Sequence, residues 1–167
     1  MIRLEKFFEQ LTSYNILNNL LPGAIFCYIL KYFLNIDIIA NSLIGDLFFY
    51  YFCGMVISRI GSILIEPLLK KIKFVEFVGY KLFLEASKVD SKISILSETN
   101  NMYRTFIALF TLLLIVKLYE YLSIKFVFLN KYLVVIVIIL LLILFIVSYR
   151  KQVNYIKKRV KNTLNLK

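Results

Sequence analysis

Residues 133–147, with the sequence LVVIVIILLLILFIV, form fifteen consecutive apolar positions without a charge. Together with the residues that precede it, this run is long enough for the roughly 20-residue helix that crosses a hydrocarbon core of about 30 Å. A soluble domain of this size has too little polar surface to cover such a segment. We therefore predict a transmembrane helix at about residues 126–147.

Three further stretches meet the same criterion, at about residues 16–36, 43–64 and 105–121. The chain is 60% apolar with a mean hydropathy of +0.78, whereas soluble domains are roughly 45–50% apolar. The first stretch is the weakest, because Asn18, Pro22 and Lys31 interrupt it. The sequence predicts an all-α integral membrane protein with four transmembrane helices, a helical connection at 67–104 and a basic tail at 148–167.

The basic residues predict the orientation of these helices. Of the 21 Lys and Arg residues, 16 lie in the N-terminal segment (Arg3 and Lys6), the central connection and the tail, and four lie on the other side. Loops rich in Lys and Arg stay in the cytoplasm. We therefore expect a multi-pass protein of the bacterial inner (plasma) membrane, with both termini and the central connection in the cytoplasm.

The tail contains basic residues and no acidic ones. We expect it to lie on the anionic lipids of the cytoplasmic leaflet, since each Lys or Arg near that surface gains about 1 kcal/mol. Val153, Ile156 and Val160 recur at helical spacing, as in an amphipathic surface helix. An acidic partner or nucleic acid is the less favoured alternative. The basic positions are Arg150, Lys151, Lys157, Lys158, Arg159 and Lys161.

The central connection contains a narrow stripe of mostly apolar residues with alternating spacings of four and three, as in a coiled coil. Asn100 is its polar position, of the kind that fixes register between chains. No Gly or Pro lies between Lys81 and Thr105, so we expect one rod that continues into the third span. A helix lying against the bilayer is the alternative. This apolar stripe comprises Leu82, Ala86, Val89, Ile93, Leu96, Asn100 and Tyr103.

The second span combines a charge with a ridge of small residues. An Arg at a helix centre costs about 2.5–3.5 kcal/mol on insertion scales, so Arg59 is expected to have a polar partner or a wet cavity. Small residues four apart let two helices approach closely. This small-residue ridge either packs within the chain or forms a subunit or pore face. The ridge and Arg59 comprise Gly54, Ser58, Arg59, Gly61 and Ser62.

Catalytic and metal-binding patterns are missing from the sequence. The chain has no His, no Gly-rich phosphate loop and no nucleophile–base pair. Cys27 and Cys53 both lie in apolar runs and are expected to be small buried hydrophobic residues. We therefore predict no enzyme activity, no cofactor and no metal site. A membrane-bound lipid enzyme is the weakest alternative, with Glu66, Asp90 and Glu98 as the carboxylates to test.

The segments SRIGSILIEPLLKKIKF and LFLEASKVDSKISILSETNNMYRTF, within roughly residues 57–107, resemble small four-helix membrane proteins of bacteria. Such proteins are associated with anti-phage defence, and the plan is similar to the membrane component of Kiwa-type systems. The resemblance implies a membrane unit that assembles with itself and with a cytosolic partner protein.

These observations favour a non-enzymatic, homo-oligomeric membrane component of a bacterial defence or stress system. Its spans would sense or perturb the bilayer. The alternative is a pore-forming effector that depolarises the cell, with Arg59 and the serine face lining the path.

Overall fold

The computed structural model describes residues 15–36, 38, 42–126 and 128–164, with the backbone alone at 128–130. Every regular element in this part of the chain is helical, which confirms the all-α prediction. We number the helices α1 (Ile16–Phe33), α2 (Leu43–Lys71), α3 (Tyr80–Val89), α4 (Lys92–Lys125) and α5 (Phe128–Thr163). Arg3, Lys6 and Lys167, which contributed to the predicted orientation, lie outside the described residues.

Four of these helices are long and apolar enough to cross a membrane: α1, α2, α4 and α5. At 1.5 Å per residue, the 34 residues of α4 and the 36 residues of α5 span about 51 and 54 Å. Both helices therefore exceed the hydrocarbon thickness of about 30 Å by several turns. Each predicted span of these two helices is one part of a longer continuous helix.

Helices α1 and α2 are antiparallel and in backbone contact. A Cβ built on Gly54 would lie 1.6 Å from the Asn19 carbonyl oxygen, and one built on Gly23 would lie 1.8 Å from the Tyr50 carbonyl oxygen. No residue larger than glycine fits at such distances without a shift of the backbone. Glycines at helix crossings in membranes permit this close approach.

A small apolar core joins α2 to α4. It consists of Ile57 and Ile65 from α2 and Ala108 and Leu109 from α4, all buried. Phe26 from α1 packs against it. The three helices thus form the packed body of the molecule.

Helix α5 is packed much more loosely against this body. Only 6% of its most apolar 18-residue window is buried, against 33% for α1. The side chains of the apolar run are mostly exposed, for example Ile138 and Leu142. Ser148, at the end of the run, is buried.

Two π-helical turns interrupt the spans, and each lies directly before a proline. The first, Ile16–Leu20, precedes Pro22, and the second, Gly61–Ile65, precedes Pro67. Proline lacks an N–H and its ring collides with the carbonyl four residues back in a regular helix. A wider turn relieves that collision, which accounts for α1 and α2 continuing through their prolines.

The expected single rod from residue 81 into the third span is wrong at one point. The helix breaks at Asp90, whose side-chain Oδ1 accepts a hydrogen bond from the Lys92 N–H at 2.9 Å. An Asp side chain that binds the backbone amide two residues further on forms a local turn, which competes with a continuous helix. Helix α4 then runs unbroken from Lys92.

The basic tail is part of α5, and its contact with anionic lipids stays a prediction. It continues α5 without a break as far as Thr163. A shallow cleft of about 130 Å³ lies between its end and α3, lined by residues that include Lys81, Glu85 and Arg159. The tail therefore extends along the axis of the fourth span, beside α3.

Candidate functional site: an ionic cluster between three helices

The principal polar site lies where α2, α4 and α5 meet, just beyond the small apolar core. Its central group is Glu66, whose side chain is 11% exposed. The Glu66 carboxylate accepts hydrogen bonds from the Arg104 guanidinium of α4 and from Lys70 Nζ, the latter at 2.8 Å. We call Ser62, Glu66, Lys70, Arg104 and Lys151 the ionic cluster.

Gly61 makes the contact between Glu66 and Arg104 geometrically possible. A Cβ on Gly61 would lie 3.1 Å from the Arg104 carbonyl oxygen and 3.4 Å from the Ala108 Cβ. The backbone of α4 thus passes close to α2 at this point. Glu66, little more than one turn further along α2, then lies within reach of the Arg104 guanidinium.

Lys151 connects α5 to the same place. Its Nζ donates to both the carbonyl oxygen and the hydroxyl of Ser62, each at 2.6 Å. It is also close enough to Glu66 and Arg104 to interact with both electrostatically. Lys151 is therefore the main polar link between α5 and the packed body.

The π turn explains why the Ser62 carbonyl is available to Lys151. Within this turn the Glu66 N–H bonds to the Gly61 carbonyl, five residues back. In the same five-residue pattern, the N–H of residue 67 would donate to the Ser62 carbonyl, but residue 67 is a proline and has no N–H. Lys151 supplies a donor in its place, and a charged donor forms a stronger hydrogen bond than an amide.

The cluster carries more positive than negative charge. One carboxylate, Glu66, faces three cations, since Lys70, Arg104 and Lys151 surround it. The Nε of Arg104 and the hydroxyl of Ser148 are buried and have no hydrogen-bond partner among the described residues. The cluster thus retains donors for a further acceptor, such as water or a group of a partner.

The residues of the small-residue ridge lie in different surroundings. Gly54 contacts α1, Gly61 contacts α4 and Ser62 binds α5, so these three serve packing within the chain. Ser58 is half-buried and Arg59 is exposed. Glu66, two turns from Arg59, binds Arg104 instead. A role of this face between subunits stays a prediction.

Asn18, Asn19 and Asn101 are polar residues of α1 and α4 that could serve as partners of Arg59. Asn18 is buried in the first π turn, and the backbone of Asn19 lies against Gly54. The Asn101 carbonyl accepts a hydrogen bond from the Thr105 hydroxyl at 2.9 Å. Arg59 is exposed on α2 and close enough to Lys151 of α5 to interact with it electrostatically. Its helix is long and apolar enough to span a membrane.

The apolar stripe is divided between α3 and α4 by the break at Asp90. Leu82, Ala86 and Val89 lie on α3, and Ile93, Leu96, Asn100 and Tyr103 lie on α4. Val89 is 90% exposed and Leu96 is 67% exposed. Apart from the half-buried Ile93, the stripe is exposed on both helices, and only its α4 part is continuous with a span.

The tail residues are largely exposed on α5. Arg150, Lys157, Lys158, Arg159 and Lys161 are exposed, whereas Lys151 is half-buried in the ionic cluster. The sequence placed Lys151 among surface charges and did not predict the ionic cluster. The one sequence feature that indicates its acceptor is Pro67, because a proline in this place leaves the Ser62 carbonyl without a backbone donor.

The carboxylates proposed for a lipid enzyme lie in three different settings. Glu66 is bound by cations in the ionic cluster, Asp90 lies in the break between α3 and α4, and Glu98 is exposed on α4. Cys27 is buried and Cys53 half-buried, and both are free thiols. In the described part of the chain, no three potential metal ligands come together.

Comparison with known proteins adds no relative. No protein-family model matches this sequence, and neither the characterised proteins nor the solved structures with which it was compared give a match.

Proposed function

We propose that this chain is a non-enzymatic, self-associating component of a bacterial membrane. The observation that carries the proposal is the exposed apolar stripe on the polar part of α4, before the apolar span begins. Leu96 is 67% exposed and Tyr103 is 61% exposed. Lipid tails cover apolar side chains inside a bilayer, but Leu96 lies more than two helical turns before the span predicted to begin at about residue 105, whereas Tyr103 is close to that boundary.

A second copy of the chain is the occupant that this stripe favours. The stripe of α4 has the alternating spacing of a coiled-coil interface and includes Asn100 as a polar position. Its opposite face carries Glu98, which is exposed as well. Two α4 helices paired along the stripe would bury Leu96 and leave Glu98 in water.

Cysteine cross-linking in native membranes tests this pairing. In a Cys27→Ala, Cys53→Ala background, Leu96→Cys should form a disulfide-linked dimer, whereas Glu98→Cys should not. A disulfide requires Cα atoms about 4.4–6.8 Å apart, so it reports a close, specific approach. Equal cross-linking at both positions, or none at Leu96, would refute pairing along this stripe.

A pore is the second candidate, and exposed Arg59 favours it. An Arg facing lipid near a helix centre is costly, while an Arg facing a water-filled path between subunits is not. If α2 lines such a path, Arg59→Ala should change conductance and Arg59→Lys should largely retain it. Identical conductance of the wild type and Arg59→Ala in planar bilayers would argue against this function.

The support for a role in anti-phage defence or stress is the similarity of this four-helix plan to the membrane component of Kiwa-type systems. Under this proposal the basic cytoplasmic face of α3 and α5 binds a cytosolic partner protein, and the membrane is that of the bacterial cell. The test is phage plating on cells that carry the gene with its genomic neighbours. Deleting this gene should raise plaque numbers, and unchanged numbers would count against defence.

A further inference from the structure

The end of the bundle opposite the ionic cluster contains a cavity of about 560 Å³ between α1 and α2. Ligand sites usually measure about 300–1,000 Å³, so this cavity has room for a small organic group. Three tyrosines and two charged residues line it: Tyr28, Tyr32, Tyr50, Lys31 and Asp46. None of these residues belongs to the assembly or pore proposals above.

The backbone contact between α1 and α2 fixes one side of this cavity. Gly23 touches the Tyr50 carbonyl, and this backbone contact sets the position of Tyr50 relative to α1. At the other side, Ser42 caps the start of α2. Its hydroxyl accepts a hydrogen bond from the Gly45 N–H at 3.1 Å. Asp46 therefore lies in the first turn of a capped helix.

The lining joins one positive group, one negative group and several aromatic faces. Lys31 and Asp46 are both half-buried and contribute opposite charges to the same space. The rings of Tyr28 and Tyr32 lie with centroids 4.5 Å apart. Aromatic faces attract cations, and tyrosine hydroxyls both donate and accept hydrogen bonds.

We propose that this cavity binds the phosphoethanolamine headgroup of a zwitterionic phospholipid. Lys31 and Asp46 already interact with other groups of the protein. In the complex, the primary ammonium of the ligand adds a hydrogen bond to the Asp46 carboxylate beside the tyrosine rings, and its phosphate accepts hydrogen bonds from Lys31 and from tyrosine hydroxyls. Tyrosines gather at the headgroup level of membrane proteins. The site lies near the ends of two helices of spanning length, where headgroups are found.

The carboxylate gives a reason for selecting ethanolamine over choline. A primary ammonium has three N–H donors for Asp46, whereas the quaternary ammonium of choline has none. Hydrogen bonds to charged groups contribute about 1.5–3 kcal/mol, which corresponds to about tenfold or more in affinity. Phosphatidylglycerol lacks the ammonium altogether and is expected to bind more weakly still.

Native mass spectrometry of the full chain released from mixed bilayers tests the proposal. With equal amounts of phosphatidylethanolamine, phosphatidylcholine and phosphatidylglycerol, the wild type should retain phosphatidylethanolamine about tenfold over phosphatidylcholine. Asp46→Asn should reduce that ratio to near one. Lys31→Gln should weaken retention of both zwitterionic lipids. Equal retention by the wild type, or an unchanged ratio in Asp46→Asn, would overturn the proposal.

The ion pair of Lys117 and Glu120 provides the matched control. It lies on α4, is exposed and has an Nζ–Oε2 distance of 2.7 Å. Lys117→Gln and Glu120→Gln remove the same charges away from the cavity, and both should keep the wild-type ratio. A lost ratio in these controls would show that the effect is one of net charge and refute a specific site.

Two further measurements keep the result interpretable. Circular dichroism of each variant establishes that the helices are formed. Tyr28→Leu is a cavity variant that keeps both charges, and it should weaken retention of both zwitterionic lipids, because an aromatic face attracts either cation. Soluble phosphoethanolamine is the second arm. If it binds and the lipid does not, the ligand is a free phosphoamine and the lipid assignment is wrong.

Discussion

The crossing of α1 with α2 and the junction of α2 with α4 and α5 hold the bundle by different physical means. At the first, Gly54 and Gly23 bring two backbones into direct contact. At the second, Glu66, Arg104 and Lys151 join three helices through charged hydrogen bonds. Both involve α2, on which Gly54 and Glu66 lie twelve residues apart.

The difference has consequences for how each region responds to change. Backbone packing depends on shape and is insensitive to charge, so it defines a fixed pair of helices. A charged junction is strong only while every partner is present, because an unpaired buried charge is costly. The loosely packed α5 therefore depends on groups whose balance a bound ion, a lipid or a partner can alter.

The largest expected effect tests the charged junction. Glu66→Gln keeps the shape of the side chain and leaves Arg104 without its carboxylate, and removing one partner of a buried pair costs about 3–5 kcal/mol. Unfolding in mixed micelles, followed by circular dichroism, measures it. The double variant with Arg104→Gln should be less destabilised than the sum of the two single variants. Strict additivity would mean that the two groups are not coupled.

The next effect tests the backbone crossing. Gly54→Ala places a Cβ where the Asn19 carbonyl now lies, and overpacking costs typically about 1–3 kcal/mol, here at the upper end because backbone must move. The same unfolding measurement applies. Gly79→Ala is the control, since no atom lies within 4 Å of its added Cβ. Similar effects at both glycines would disprove the tight crossing.

A smaller effect is expected for the link to α5. Lys151→Met preserves the length of the side chain and removes both hydrogen bonds to Ser62, at a cost of about 1 kcal/mol, as for polar contacts between membrane helices. Spin labels placed on α2 and α5 should report a broader distance distribution. Lys158→Met, on the exposed tail, should leave that distribution unchanged. An unchanged distribution in Lys151→Met would mean that apolar packing alone holds α5.

The smallest effect concerns the apolar surface of α5. Leu142 is 60% exposed, and substitutions at such positions usually change stability by less than about 0.5 kcal/mol. Leu142→Ala should therefore be nearly neutral in monodisperse micelles. Leu109→Ala, in the core, should cost about 2–5 kcal/mol. A large, concentration-dependent effect of Leu142→Ala would show that α5 is covered by a second copy.

Part of this fold was predictable because its causes are local. The four apolar helices follow from the length and composition of each segment. The ridge of small residues in the second span predicted a close helix approach without specifying the partner helix, and Gly54 of that ridge contacts α1. The break at Asp90 also had a local signal, the Asp-Ser pair before Lys92, but the uninterrupted apolar stripe concealed it. The π turns were missed because proline predicts a kink without specifying how a helix accommodates it.

The ionic cluster shows where sequence reasoning stops. Glu66 and Arg104 are 38 residues apart, and Ser62 and Lys151 are 89 apart. Arg59 seemed the more informative charge because it interrupts a span, yet it is exposed. Nothing in residue type or spacing distinguished Lys151 from the other cations of the tail.

The sequence by itself determined that this chain forms four apolar helices of spanning length. It also determined that most basic residues lie in the connection and the tail. Both follow from the sequence because helix formation and hydrophobicity depend on neighbouring residues. Only the tertiary structure decided which charges pair, which glycines meet a backbone and where Lys31 and Asp46 share a cavity. Those outcomes depend on the rotation and axial position of each helix against the others. Many weak contacts set these quantities together, and no single segment contains them.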